Sequence, residues 1–262
     1  MDDTLLNGEG IIAPRTLRAL NRAMDAGVSI VLASGRMLES TMPFAQQLSI
    51  NAPLIVYNGA MVYDWREKRA IEKRTVPMEA ARGILKMAEA LGIYVQAYPG
   101  EGYYAAARTK YTGQYEASIK VDCEITGTPL SEWISSPQVK LLAIGEKEDT
   151  LQNIETFRAA FPDVSFMMSR PNYIEIVAQG VDKKDALEKT LASLGIAPGE
   201  VLAFGDGQND VSMLNYVGLG YCVENASAGV KEQCKHFCPS NTQDGCAIVI
   251  ERLLDAGELK GA

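Results

Sequence analysis

Apolar runs alternate with amphipathic stretches along the first part of the chain. Apolar residues recur at helical spacing across 15–26, which predicts a helix. The β-branched run 28–33 and the apolar run 54–57 predict buried strands, and a further helix is predicted between them over 38–48. This alternation of helices and strands is typical of a parallel sheet with helices on its faces.

The pattern changes between positions 78 and 178. Short apolar runs at 94–98 and 103–106 flank Pro99-Gly100, which predicts a hairpin, and helical patterns are mixed among further strand patterns. Such a mixture predicts an α+β domain inserted over 78–178.

The first pattern resumes after Gly180. It predicts a helix up to Gly195, a strand over 201–205, a short helix over 210–216 and a strand over 218–223, followed by a terminal helix over 247–254. We therefore predict an α/β fold: a Rossmann-like, doubly wound parallel sheet core formed by residues 1–77 and 179–262, interrupted by the inserted domain.

The loop that ends the strand 201–205 carries two carboxylates four residues apart, Asp206 and Asp210. Hard oxygen donors of this kind suit Mg²⁺, which binds one or two carboxylates and keeps room for water and phosphate. Taken alone, an acidic turn that caps a helix explains the segment equally well.

Other loops place polar side chains where predicted core strands end or core helices begin. In an open α/β sheet these ends converge at one crevice, which is the usual ligand site. Ser34 is predicted to cap a helix and to offer its hydroxyl to a phosphate. In isolation, Lys183 is typical of a solvated lysine, Asn58-Gly59 of a turn, and Asp2-Asp3 of a frayed terminus.

The order of these segments resembles the haloacid dehalogenase (HAD) superfamily of Mg²⁺-dependent phosphatases, and more narrowly its Cof-type subfamily IIB. The inserted domain is similar to the large α+β (C2-type) cap of that branch. The matching segments are Asp2-Asp3-Thr4-Leu5-Leu6, Ser34-Gly35-Arg36, Asn58-Gly59-Ala60, Gly180-Val181-Asp182-Lys183 and Gly205-Asp206-Gly207-Gln208-Asn209-Asp210.

The resemblance implies hydrolysis of a small phosphomonoester through an aspartyl-phosphate intermediate, with Mg²⁺ as cofactor. It favours a sugar phosphate and leaves flavin and pyridoxal phosphates open. The residues it implies fall into three groups: Asp2 and Lys183 are catalytic; Asp2, Asp206 and Asp210 hold the metal; and Ser34, Gly35, Arg36, Asn58, Gly59, Lys183 and Asn209 bind phosphate or substrate. Asn209 is further expected to orient Lys183 or Asp210.

The first motif departs from the family pattern, in which one aspartate acts as nucleophile and a second moves the proton. Asp2 aligns with the second aspartate, and therefore with the general acid and base, and Thr4 aligns with the threonine of the motif. The nucleophile, and the apolar strand that leads to it, have no counterpart in residues 1–262, so the sequence is expected to be truncated just after the nucleophile. Two alternatives stay open: a catalytically dead relative that binds phosphate and Mg²⁺, and a phosphomutase.

Composition limits the partners. The net charge of −8 argues against a nucleic acid, because phosphate backbones attract basic surfaces. No apolar run approaches the roughly 20 residues of a membrane span, and the acidic N-terminus does not resemble a signal peptide. We expect a cytoplasmic protein, monomeric or weakly dimeric, whose partner is a small phosphorylated metabolite.

Overall fold

A computed structural model describes residues 1–261. Its helices, in chain order, are α1 (Pro14–Asp25), α2 (Leu38–Leu48), α3 (Met78–Leu91), α4 (Lys110–Ile119), α5 (Leu130–Trp133), α6 (Thr150–Ala160), α7 (Lys183–Leu194), α8 (Val211–Tyr216), α9 (Ala228–Lys231) and α10 (Gly245–Asp255). Its strands are β1 (Leu54–Val56), β2 (Met61–Asp64), β3 (Arg69–Lys73), β4 (Tyr94–Tyr98), β5 (Tyr104–Ala105), β6 (Glu124–Ile125), β7 (Lys140–Ile144), β8 (Val164–Arg170), β9 (Tyr173–Ala178), β10 (Leu202–Gly205), β11 (Leu219–Val223) and β12 (His236–Cys238).

The chain divides into two compact units. The first, which we call the core unit, is assembled from three segments: Met1–Gly35, Thr41–Ile71 and the stretch from Asp182 onward. The second, the insert unit, consists of Arg36–Ser40 and Glu72–Val181. The inserted domain predicted over 78–178 falls within the longer of these two segments, whereas the grouping of Arg36–Ser40 with it was not predicted.

The core unit contains a parallel sheet in the order β10-β11-β12 and an antiparallel sheet in the order β1-β2-β3. Helices α7 and α8 pack on these strands through Leu187, Leu191, Met213 and Leu214, which form one buried cluster with Ile55 and Ala203. On the evidence of these elements, the predicted α/β class is confirmed.

The strand predicted over residues 28–33 of the core unit is wrong. Residues 28–33 are extended, but only Ala33 forms a bridge, which is parallel to Ile55. The side chain of Asn51 holds part of the segment, since it accepts from the N–H of Ile30 at 2.9 Å and donates to the carbonyl of Val28 at 3.0 Å. Since the other edge of the segment borders a cavity rather than a second strand, its hydrogen-bond ladder is incomplete.

This cavity of about 670 Å³ lies between residues 28–33 and strand β10. Apolar side chains of α1, α7, α8 and α10 line it, and we call it the slot. Met1 and Thr4 line it as well, next to the loop that follows β10.

The insert unit is built on a mixed six-stranded sheet in the order β6-β5-β4-β7-β9-β8. Helices α3 and α6 cover one face, where Ile84 and Phe157 join a large apolar cluster. Buried tyrosines form a separate group: Tyr98 stacks on Tyr103 with ring centroids 5.5 Å apart, and Tyr103 meets the edge of Tyr115 at 5.4 Å. Their burial gives these rings a packing role.

None of the helices formed by residues 1–261 combines the length and the apolar character that a bilayer crossing requires.

Candidate active site

A buried ion pair joins two of the segments that the sequence singles out. Lys183 is the first residue of α7, whose N-cap Asp182 accepts from the N–H of Asp185 at 2.7 Å. The Nζ of Lys183 lies 2.5 Å from Oδ1 of Asp210, and the two residues are 3% and 4% exposed. The other oxygen, Oδ2, accepts from the N–H of Asp206 at 3.1 Å and from that of Gly207 at 3.0 Å. Asp210 therefore fixes both the helix start and its own loop.

The pKa values of the two carboxylates in this loop, Asp206 and Asp210, are shifted in opposite directions. Burial alone would raise the pKa of Asp210, but the charge of Lys183, the Met1 ammonium and the hydrogen bonds outweigh it, so this pKa is lowered. Burial raises the pKa of Asp206; the hydroxyl of Thr4 opposes that shift, and the nearby charge of Asp210 adds to it. The loop therefore holds two different carboxylates: the charge of Asp210 is balanced by Lys183, whereas Asp206 has no equivalent cation beside it.

The start of the chain is anchored beside this loop. The hydroxyl of Thr4 donates to Oδ1 of Asp206. Asn225 donates to the carbonyl of Asp3 at 2.7 Å, and Asn241 donates to that of Leu6 at 2.7 Å. Asp2 is thus held near the site, half-buried, rather than frayed. Sequence reasoning assigned no structural role to Asn225 or Asn241, because their side chains act through contacts more than 200 positions away in the chain.

The Asn58-Gly59 turn joins the same group of loops. The N–H of Asn58 donates to the carbonyl of Ser34 at 3.0 Å. The side-chain amide of Asn209 donates to Oδ1 of Asn58 at 2.8 Å. The expected role of Asn209 needs correction, because this hydrogen bond joins it to Asn58 and not to Lys183 or Asp210. Ser34 and Asn58 are both buried, 2% and 3% exposed, so these loops are packed together rather than solvated.

Gly35 and Arg36 differ in their surroundings. A Cβ on Gly35 would lie 2.7 Å from Oδ1 of Asn58, so this position needs a glycine for the loops to approach. Arg36 is grouped with the insert unit, and its guanidinium donates to the carbonyl of Ser40 at 3.4 Å. Its predicted contact with substrate stays a prediction.

Replacement of Gly59 by alanine is expected to destabilise the core unit by about 2–3 kcal/mol. Gly59 has a φ of +99°, and a Cβ there would lie 2.2 Å from the carbonyl oxygen of Asp182, the N-cap of the helix that carries Lys183. Gly257→Ala is the matched control, since its φ is also positive, +71°, but a Cβ would meet nothing within 4 Å. Denaturant unfolding of both variants measures the difference, and equal losses would contradict the steric argument.

The carboxylates beside this loop limit how a Mg²⁺ ion could be held. Within residues 1–261, no three or more His, Cys, Asp or Glu side chains are grouped to hold a metal ion. The predicted set of Asp2, Asp206 and Asp210 therefore does not form a three-carboxylate cluster, because Asp210 is engaged by Lys183 and by two backbone N–H groups. The residues present do fit a Mg²⁺ ion of the kind that binds one or two carboxylates and keeps several waters.

Asp206→Asn is expected to raise Tm at pH 7 in the presence of EDTA. The folded-state pKa of Asp206 is raised, so on folding at neutral pH the ionised carboxylate is disfavoured. An amide removes that cost and still accepts from Thr4. The gain should shrink as pH falls through the raised folded-state pKa and be lost below the unfolded-state value of about 3.9, where both states bind the proton. Thermal unfolding across pH 3–8 measures it, and a gain that grows in acid would contradict it.

Comparisons with known proteins agree with this arrangement. A family model described as haloacid dehalogenase-like hydrolase matches residues 1–250. A 5-amino-6-(5-phospho-D-ribitylamino)uracil phosphatase of Bacillus subtilis is 26% identical over 95% of this chain and 92% of its own length. A pyridoxal phosphate phosphatase of Escherichia coli is 26% identical over 95% of both chains.

A solved structure is also similar. A crystal structure of a Thermotoga maritima protein superposes with a TM-score of 0.86 and 32% identity, over 96% of this chain and 94% of that one. The matched lengths show that the similarity extends over nearly the whole chain and includes both units.

Proposed function

Because this chain belongs to the haloacid dehalogenase-like hydrolase family, whose relatives compared above are phosphatases, we propose that it acts on a small phosphomonoester with Mg²⁺ at the loop Gly205–Asp210. The observation that carries the proposal is the buried pair of Lys183 and Asp210. A lysine held by a carboxylate, with almost no exposure, is costly to bury and is typical of a positioned functional cation rather than of a solvated surface residue.

Lys183 and Ser34 are the proposed phosphate ligands. An ammonium has three N–H donors, so the hydrogen bond to Asp210 leaves two for the non-bridging oxygens of a phosphate. The hydroxyl of Ser34 and the backbone N–H groups near Asn58 lie in loops joined to the same site. Fixed donors of this kind stabilise the charge that spreads over the phosphoryl oxygens during transfer.

Asp2 is the proposed general acid and base. It lies two positions before Thr4, whose hydroxyl donates to Asp206, so its backbone is held close to the loop of the proposed metal site. In this role Asp2 gives its proton to the leaving alkoxide as the ester P–O bond breaks and the carboxylate that the family uses as nucleophile bonds to phosphorus. Asp2 later takes a proton from the water that attacks phosphorus and releases that carboxylate.

Asp206 is the proposed principal metal ligand, with Asp210 beside it. Burial raises the pKa of Asp206, and a cation at that carboxylate would offset the cost of keeping it ionised. When bound, Mg²⁺ supplies positive charge that reduces the repulsion between an anionic nucleophile and an anionic phosphate.

The proposed substrate class follows from the two named relatives. The substrates in their names, a ribityl phosphate and pyridoxal phosphate, are both small polar molecules that carry a phosphate ester on a primary alcohol. We favour a sugar phosphate within this class.

The test is a phosphate-release assay with p-nitrophenyl phosphate and a panel of sugar phosphates, pyridoxal phosphate and a flavin phosphate. With an apolar strand ending in aspartate placed before Met1, we expect release that depends on Mg²⁺, is abolished by EDTA, and is lost in Lys183→Met. Release that is unchanged by EDTA, or a sugar phosphate isomer as product in place of free phosphate, would overturn the proposal.

A second candidate is a binding protein without turnover. It is the alternative that the resemblance to the family leaves open beside the phosphatase. For this candidate, Mg²⁺ with inorganic phosphate should raise Tm while none of the esters in the panel is hydrolysed. A thermal shift without turnover supports it, and turnover by the same preparation excludes it.

A further inference from the structure

Two cysteines of the core unit lie side by side in one apolar cluster. Cys222 belongs to β11 and is fully buried, whereas Cys234 follows the short helix α9 and is half-buried. Cys234 packs against the buried cluster that contains Cys222, and the two thiols are within hydrogen-bonding reach of each other. The pair therefore meets the first requirement of a disulfide, which is that the two side chains point toward each other.

The 11 residues between these cysteines carry two contacts with the candidate site. Near one end, Asn225 donates to the carbonyl of Asp3 at 2.7 Å. At the other end, Gln233 donates to Oε1 of Gln208, in the loop that follows β10, at 3.3 Å. A bond between the two cysteines closes residues 223–233, which we call the bridging segment, into a ring that includes both contacts.

Strand pairing places Cys222 beside the same loop. Strand β11 runs parallel to β10, and Cys222 is in register with Gly205, the residue that precedes Asp206. On its other side, Cys222 is in register with Phe237 of β12. A covalent bond at Cys222 therefore attaches the bridging segment to the middle strand of this sheet, one strand away from the loop Gly205–Asp210.

The surroundings of the two thiols give them different parts in an oxidation. Cys234 is half-buried, so a small oxidant can reach its sulfur. Burial raises the pKa of the Cys222 thiol to about 12; the charge of Cys234 adds to this shift, and the ammonium of Lys231 opposes it. Cys234 is therefore the thiol that meets the oxidant, and Cys222 is the thiol that resolves the product.

We propose that Cys222 and Cys234 form a redox-sensitive modification site. A peroxide joins them in a reversible disulfide, and this bond fixes the bridging segment beside the candidate site. The modification uses neither the phosphate site nor the metal site, so its test is separate from that of the phosphatase proposed above.

The reaction takes place in two balanced steps. The Cys234 thiolate attacks one oxygen of hydrogen peroxide, so that an S–O bond forms, the O–O bond breaks and the other oxygen leaves as water. The Cys222 thiolate then attacks the sulfur of this sulfenic acid, so that an S–S bond forms, the S–O bond breaks and the second oxygen leaves as water. The two thiols lose two electrons and two protons, and the peroxide takes up both.

The remaining cysteines are more deeply buried than Cys234. Cys238 and Cys246 are both 4% exposed, and burial raises the pKa of each thiol. Cys123 is 6% exposed and belongs to the insert unit. All three sulfurs are shielded from solvent, so we expect them to stay reduced under conditions that join the proposed pair.

Peptide mapping tests the pairing. Trypsin cuts after Lys231 and Lys235, and these cuts leave the cysteines at 222, 234 and 238 on three different peptides. The full chain is treated with a small excess of hydrogen peroxide, its free thiols are blocked in denaturant, and the digest is read by mass spectrometry.

We expect a new species in which the peptides of Cys222 and Cys234 are joined, with the number of blocked thiols falling from five to three. Dithiothreitol should reverse both changes. A sulfinic acid at Cys234 with Cys222 still free, or a disulfide in any other pairing, would overturn the proposal.

Thermal unfolding tests the effect on the bridging segment. The oxidised protein should have a Tm about 5–10 °C above that of the reduced protein, because the disulfide closes a loop of 13 residues in the unfolded chain. Amide hydrogen exchange across 223–233 should also slow on oxidation. An unchanged Tm together with unchanged exchange would overturn the proposed fixing of the segment.

Two variants test the assignment of the pair. Cys234→Ser should remove both the joined peptides and the rise in Tm. Cys238→Ala, at a cysteine of the neighbouring strand β12, is the matched control and should keep both responses. A response of Cys234→Ser equal to that of the unmodified chain would overturn the proposal, and the peptide map of the unmodified chain decides it if either variant does not fold.

Discussion

A fusion that places an apolar strand ending in aspartate directly before Met1 is expected to hydrolyse p-nitrophenyl phosphate about 10⁴–10⁶ times faster than the same fusion ending in asparagine. Met1 lines the slot, and its ammonium acts electrostatically on Asp206 and Asp210. A side chain placed directly before Met1 is therefore expected to lie beside the proposed Mg²⁺ and phosphate site.

The chemistry explains why the two fusions should differ so much. A carboxylate oxygen forms a bond to phosphorus while the ester P–O bond breaks, and the leaving alkoxide takes its proton from Asp2. Asparagine has a similar shape but cannot act as that nucleophile, so the two fusions should have the same Tm and differ only in rate. Equal rates from two equally stable fusions would contradict the assignment of the nucleophile.

Lys183→Ala is expected to destabilise the core unit by about 3–5 kcal/mol, because it leaves the carboxylate of Asp210 buried without a counter-charge. Phosphate release by the aspartate fusion should also fall by about 10²–10³, the usual loss when one fixed donor to the transferring group is removed. Chemical denaturation and steady-state kinetics measure the two effects.

The loss of stability in Lys183→Ala is expected to depend on pH in one direction. In the unmodified chain the pKa of Asp210 is lowered, so it stabilises the fold above about pH 4, and this contribution is lost as pH falls through the folded-state pKa. In Lys183→Ala the largest opposing charge is removed, so the pKa of Asp210 is higher than in the unmodified chain and the variant regains relative stability in acid. The difference in free energy of unfolding between the two proteins should therefore be largest near pH 7 and shrink below pH 5. A difference that stays constant over this range would contradict the assigned pKa shifts.

Lys184→Ala is the control at the adjacent position. Lys184 forms exposed ion pairs with Asp185 and Glu188, 30–49% exposed, and pairs of this kind contribute about 0–1 kcal/mol. If Lys184→Ala lost as much stability as Lys183→Ala, both substitutions would be acting on the start of α7 and not through the buried charge.

Elements set by local pattern were predictable from the sequence. Strand Tyr94–Tyr98 was predicted with its observed bounds, and helix Pro14–Asp25 within one residue, because side-chain periodicity and the Pro and Gly punctuation are contained in the segment itself. The hairpin Met61–Lys73 was missed. Most residues of its second strand are exposed, so no apolar alternation marks it.

Features that depend on distant partners were not predictable in this way. Residues 28–33 have the composition of a buried strand, but a ladder requires neighbours on both sides, and the apolar run alone does not show whether they are present. The local pattern around Lys183 is typical of a solvated lysine. Only the resemblance of its segment to a family motif suggested a catalytic role. Its burial depends on Asp210, 27 positions later, and on the packing of Gly59 against Asp182.

The three-segment construction of the core unit has a consequence for the order of events during synthesis. Contacts of Thr4 with Asp206 and Cys246, and of Arg15 with Glu251, join residues more than 200 positions apart, so early and late parts of this unit must meet. The long insert segment Glu72–Val181 is continuous, so its contacts close over short loops and it is expected to fold while translation is under way. The N-terminal segment must wait, with its apolar residues uncovered, until α10 leaves the ribosome. Chaperone dependence should therefore track the core unit rather than the insert.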